Sequence, residues 1–160
     1  KPVKDDKVLF EFLILESFQA GLSWFTILKK RENFRKAFAD FDVKKVAKFD
    51  EAKVDELVQN EGIIRHRGKI SAAINNAKLF IDIQKEFGSF SDFIWKYVDH
   101  KPIVNNWESI KDVPATTEIS DQIAKDLKKR GFKFFGSTTI YAHMQATGMV
   151  NDHTTDCFCK

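Results

Sequence analysis

The chain has 160 residues, 43% of them hydrophobic and 31% charged, with a formal net charge of +3. That length supports one sizeable core and is short for two independent ones, and the composition excludes a fibrous or disordered chain. A net charge this small excludes a nucleic-acid partner argued from bulk electrostatics, so basic residues must be concentrated locally to matter.

No apolar run approaches the roughly 18 residues of a membrane span, and no charged-then-apolar leader opens the chain. A monomeric cytoplasmic protein without a membrane partner is the expectation. Sixteen phenylalanines point to helices interlocked by aromatic rings. Helical periodicity dominates, predicting helices at about 5–20, 23–39, 51–60, 64–87, 90–98, 120–130 and 137–148, with no alternating strand. Breaks fall at Gly21, near Phe41 and Asp42, at Gly62 and at Gly88. The polar stretch 101–117, with Pro102 and Pro114, reads as the longest loop and as the connection between two helical lobes. The predicted architecture is all-α: one two-lobed domain over residues 1–160.

The first helix carries the most informative residue. Glu16 follows Leu13 by three residues, Phe12 by four and Leu9 by seven, which sets a carboxylate on the apolar side. Out of water a carboxylate costs several kcal/mol unless paired, hydrogen-bonded or neutralised, so its position calls for a reason. Gln19 comes next, then the break Ala20-Gly21-Leu22-Ser23 and the indole of Trp24. A carboxylate, an amide and an indole this close in sequence are candidates to line one pocket. The plainer alternative is a structural glutamate that pairs with an arginine or accepts from a helix terminus.

Basic residues gather at Lys29-Lys30-Arg31, at Arg65-His66-Arg67 with Lys69, and at Lys128-Lys129-Arg130 with Lys133. The last group surrounds Gly131-Phe132-Lys133-Phe134-Phe135-Gly136, a turn between two helices, with Ser137, Thr138 and Thr139 opening the second. Glycines let backbone approach closely, Ser or Thr can cap, and free amides at a helix start face an anion, so the turn suits a phosphate. The spacing of Gly131 and Gly136 imitates a nucleotide-binding loop, but Ser137 stands where that loop needs lysine and no strand precedes it. The two cysteines, Cys157 and Cys159, are too close for a useful disulfide and read as metal ligands or free thiols. His153 and Cys157 have the spacing of two zinc ligands on one helical turn.

Four blocks closely resemble the bacterial 3-methyladenine DNA glycosylase I family of the helix-hairpin-helix superfamily, in the family's order. They are Leu15 to Phe34, Gly62 to Ile70, Leu127 to Gly136, and Val150 to His153. The resemblance spans nearly the whole chain. It implies an all-α fold with a helix-hairpin-helix motif at about 120–148, and hydrolysis of the N-glycosidic bond of 3-methyladenine in alkylated double-stranded DNA, with free 3-methyladenine as product. It implies Glu16 as the catalytic and base-reading group, with Trp24 and Gln19 beside it. Leu22, or Gln19, would fill the space of a flipped base, and Gly131, Lys133, Gly136, Ser137 and Thr138 would contact the DNA backbone.

The resemblance also implies a structural zinc with His153 and Cys157 as two ligands. The family's other two ligands and one pocket tyrosine come from an N-terminal segment that is expected to precede Lys1. Cys159 and His143 do not match the family's ligand pattern. The superfamily's assisting aspartate corresponds to Asn151, with Asp152 one residue on. Thr138 stands near the place of the nucleophilic lysine of strand-cleaving members, so no lyase activity is expected. The competing reading is a non-catalytic helix-hairpin-helix DNA-binding module in which Glu16 is structural. A metal-dependent hydrolase ranks behind both for want of clustered ligands.

Overall fold

The structure, a computed structural model, describes residues 2–19, 22–107, 114 and 116–154, with the backbone alone for 106, 107 and 152–154. Most of the helices begin where the sequence supplies a side-chain cap. Asp5 accepts from the amides of Lys7 and Val8 and opens α1 (Asp6–Ser17), and Ser23 caps α2 (Trp24–Lys29). Lys30 leaves helical geometry, so the single predicted helix 23–39 becomes two, with α3 running Arg31–Ala37.

Ala39, Asp40 and Phe41 then turn with φ of 54°, 56° and 58°. This left-handed turn leads to a helix that periodicity missed, α4 (Val43–Ala47), which is too short for a 3.6-residue pattern to show. The next helices are α5 (Glu51–Val58), capped by Asp50, and α6 (Arg67–Phe87), capped by the His66 ring. They are followed by α7 (Phe90–Trp95), α8 (Glu118–Lys129) and α9 (Ser137–Ala146). Thr117 and Ser120 form a reciprocal capping box at the start of α8.

The all-α expectation holds apart from two short strands. β1 (Ile103–Trp107) lies in the stretch expected to be a loop, and β2 (Val150–Thr154) follows α9; they pair in parallel with Ile103 opposite Val150. Five-residue strands whose partner is distant give no alternation to read. Among the described residues no helix is long and apolar enough to cross a membrane.

Helix α1 contacts α6, α7 and α9. Its Phe10 meets Phe80 edge-on at 5.2 Å, Phe80 stacks on Phe90 at 4.3 Å, and Phe18 reaches Phe34 at 5.1 Å. Such pairs add about 0.5–1.5 kcal/mol beyond their burial, so the phenylalanines fix helix positions as well as fill space.

Helices α8 and α9 pack on each other, and α6 holds the turn between them. The buried Asn76 amide accepts from Lys133 N and donates to Lys133 O, both at 3.0 Å, while Asn75 donates to Gly131 O at 3.1 Å. Gly131 sits at φ +100°, a conformation that costs glycine little. Phe132 and Phe135 turn inward and meet edge-on at 6.2 Å. Asn76→Ala removes the two hydrogen bonds to Lys133, worth about 0.5–1.5 kcal/mol each, so urea unfolding is expected to show a loss of about 1–3 kcal/mol. An unchanged midpoint would mean the turn stands without α6.

Candidate functional site

Glu16 occupies the last turn of α1 and is 4% exposed. The packing of α1 on α9 brings His143 against it, with Nδ1 and Oε1 2.9 Å apart and the ring fully buried. Burial pushes the Glu16 carboxyl above its usual range, and the charge and hydrogen bond of His143 pull the other way. Glu16 Oε2 and His143 Nε2 are buried without a partner among the described residues.

A cavity of about 360 Å³ opens beside the pair, lined by Glu16, Gln19, Trp24, Ala142, Gln145 and Ala146. That volume lies within the range of small-molecule sites. Ala142 and Ala146 are four apart on α9, so two methyl side chains leave the room that larger residues would fill. The sequence-predicted trio of Glu16, Gln19 and Trp24 is therefore brought together. Trp24 opens α2 and packs on the edge of the core. Leu22 is exposed near the cavity's Trp24 wall, as is Phe25, the latter at 69%. Gly21 lies outside the described residues.

His143 is the residue beside Glu16 that sequence reasoning did not place there. It shares with Glu16 the signal of a polar group among apolar ones, between Ile140, Tyr141 and Met144 on α9. Its partner lies 127 residues away, which no local pattern reveals.

The hairpin differs from expectation in one respect. Neither Ser137 nor Thr138 caps α9: Gly136 is the N-cap and gives no side-chain bond, while the Ser137 hydroxyl pairs with that of Ser120 at 2.7 Å. The first-turn amides of α9 thus meet no capping side chain. A methyl group at Gly136 would meet nothing within 4 Å. A second cavity of about 500 Å³ lies here, lined by Lys128, Phe132, Lys133, Phe134, Phe135 and Gly136. Helix α9 consequently starts at this cleft and ends along the first cavity.

The arginines of the basic clusters are largely committed elsewhere. Arg130 makes two bonds to Glu86 at 3.2 and 2.9 Å, over the rings of Phe87 and Phe93. Arg31 pairs with the buried Glu11 at 2.5 Å, and Arg67 with Asp55 and Glu51. Lys128, Lys129 and Lys133 are exposed around the hairpin, whereas Lys69 is buried and its pKa is lowered by the loss of water.

The backbone of His153 lies on β2, in extended conformation rather than on a helix. Cys157 and Cys159 lie outside the described residues. Among the described residues no three His, Cys, Asp or Glu side chains are grouped to hold a metal, and His143 is engaged by Glu16. The described residues do not form a zinc site.

The family model for methyladenine glycosylases matches residues 1–160. A DNA-3-methyladenine glycosylase of Haemophilus influenzae is 52% identical over 160 residues, covering 100% of this chain and 86% of that protein. DNA-3-methyladenine glycosylase 1 of Escherichia coli is 51% identical over 158 residues, covering 99% and 84%. A 3-methyladenine DNA glycosylase I crystal structure superposes with a TM-score of 0.95 at 51% identity, covering 99% of this chain and 87% of that one. A 3-methyladenine DNA glycosylase I structure from Staphylococcus aureus gives a TM-score of 0.95 at 41% identity, covering 99% and 84%. With the match running from the first residue to the last and the same fold in the solved relatives, the chain belongs to the methyladenine glycosylase family.

Proposed function

We propose that this chain is a monofunctional DNA glycosylase that releases 3-methyladenine from alkylated duplex DNA in base-excision repair. The observation that carries the reading is a buried carboxylate, Glu16, facing a cavity of purine scale beside Trp24. A glutamate held only for structure needs no such space. The relatives named above are 3-methyladenine glycosylases, and a solved structure at 41% identity is a complex with 3-methyladenine.

The lesion enters by flipping out of the stack. Methylation at N3 gives the base a formal positive charge within the nucleotide. Unit charges about 4 Å apart at an effective dielectric near 20 attract by about 4 kcal/mol, an upper figure for a delocalised cation. Neutral adenine gains none of this, which corresponds to roughly a thousandfold in selection. Stacking on Trp24 adds up to about 2 kcal/mol of cation–π attraction. Glu16 also accepts from donors on the adenine edge, and Gln19 supplies an amide at the same wall.

When the C1′–N9 bond breaks, its electron pair returns to the base and cancels the positive charge, so the leaving group needs no proton. Water adds its hydroxyl to C1′ and releases its proton to solvent. Recognition and electrostatics are the protein's share of the reaction. Among the described residues no lysine lines the cavity, and Thr138 has no amine, so a Schiff-base step is not part of the proposal. Leu22 fills the gap left in the duplex. Gly131, Lys133, Gly136, Ser137 and Thr138 receive a DNA phosphate at the start of α9. The acting form is a monomer in the cytoplasm.

Glu16→Gln is expected to keep the melting temperature near that of the wild type and to lower release of 3-methyladenine from methylated duplex by about a hundredfold or more. Chromatography of freed base, against a no-enzyme control, measures this; equal release by the variant would sink the reading. Lys133→Glu is expected to weaken binding to undamaged and methylated duplex alike and to flatten the salt dependence by about one unit of slope. A loss confined to methylated duplex would contradict a phosphate contact. For His153 and Cys157 we propose two ligands of a structural zinc that needs two further ligands: metal analysis of the full-length protein should find zinc that is lost in His153→Ala together with thermal stability, and a zinc-free full-length protein would overturn this.

A further inference from the structure

Glu16 Oε2 and His143 Nε2 are buried and unpartnered among the described residues, and they belong to two residues that bond each other. In the carboxylate form of Glu16 each oxygen only accepts, so the ring nitrogen that faces Oε1 at 2.9 Å is the donor. That bond removes one of the two oxygens from use by any ligand. It leaves Oε2 as the buried oxygen without a partner among the described residues, on a residue that lines the cavity.

Without such a donor, a glutamate side chain has several rotatable bonds between its backbone and its carboxylate, and burial favours the uncharged acid. An uncharged acid has no charge with which to select a cationic base. The residues flanking His143 on α9, Ala142, Gln145 and Ala146, line the cavity while the His143 ring points into the core. The ring therefore stands behind the carboxylate as seen from the cavity and does not compete for the ligand's place.

We infer that His143 is a positioning residue for glycosidic-bond hydrolysis: its Nδ1–H holds Glu16 Oε1 and leaves Oε2 for the flipped base. This rests on the proposal that the chain excises 3-methyladenine. His143 acts only through Glu16, which separates it from a residue that merely fills the core. Replacing it matters to excision where the carboxylate is present and not where the carboxylate is already gone.

The test is single-turnover release of 3-methyladenine from methylated duplex by the full chain, its His143→Leu, His143→Asn and Glu16→Gln variants, and the Glu16→Gln, His143→Leu double variant, with a melting curve for each. His143→Leu is expected to slow release by about 10- to 100-fold, the cost of losing a hydrogen bond to a charged group. His143→Asn, whose amide N–H can stand in the place of Nδ1, is expected to recover most of the rate. The double variant is expected to be no slower than Glu16→Gln alone.

A His143→Leu variant that melts and excises like the wild type would overturn the inference. So would a double variant slower than Glu16→Gln by the full His143→Leu factor. A readout that needs no variant to fold is the long-range proton–nitrogen spectrum of the wild-type imidazole, expected to show the Nδ1–H tautomer at neutral pH; the Nε2–H tautomer would refute it. A wild-type chain that releases no base fails earlier, at the functional reading itself.

Discussion

A buried carboxylate must be met by something, and in this chain it is met by a residue near the other end of the sequence. An ion left unpaired in the core costs several kcal/mol, a large share of the 5–15 kcal/mol by which domains are stable. The carboxylate of Glu16 therefore ties α1 to α9 beside the apolar contacts, through His143, its one side-chain partner among the described residues. The aromatic cluster makes that placement rigid: Phe10 and Phe18 anchor the same helix through Phe80 and Phe34. The core and the cavity are thus two faces of one helix, and the cavity wall moves only if the core does.

Helix α9 extends this coupling to the surface. Ten residues rise about 15 Å, so the uncapped amides at Ser137 and the cavity wall at Ala146 are separated by a rigid rod of fixed length. A backbone phosphate held at the hairpin is then at a set distance from a base held beside Glu16. Asn76 holds the turn from α6, so the rod is fixed at its outer end as well. Positioning of this kind converts binding energy into geometry, which is what a reaction with little acid–base demand requires.

Much of this is legible in the sequence, and the illegible part has a common cause. Glu16, Gln19 and Trp24 are within nine residues of one another, so helical spacing and one helix break suffice to group them. Helix starts at Ser23, Asp50, His66 and Thr117 are likewise local, because a cap acts within three residues. His143, Asn76 and the pairing of β1 with β2 depend on partners 47 to 127 residues away, which periodicity cannot see. The division of 23–39 at Lys30 escaped notice for another reason: the apolar pattern continues across it, and only the backbone angles record the break.

Charge shows the same limit from another side. A run such as Lys128-Lys129-Arg130 reads as one basic patch, yet its members serve different ends. Arginine's planar fork suits a carboxylate, and Arg130, Arg31, Arg35 and Arg67 all pair with acids of the scaffold. The exposed hairpin lysines, compact charges on flexible stems, remain at the surface where a phosphate would lie. Four of the five arginines are thus committed to scaffold pairs, and the exposed lysines are left to meet DNA. Each cation bound to a phosphate adds the same affinity at a damaged site as at an undamaged one. Such contacts do not discriminate, so in the proposed function selection is left to the buried carboxylate, whose attraction acts only when a cationic base stands in the cavity.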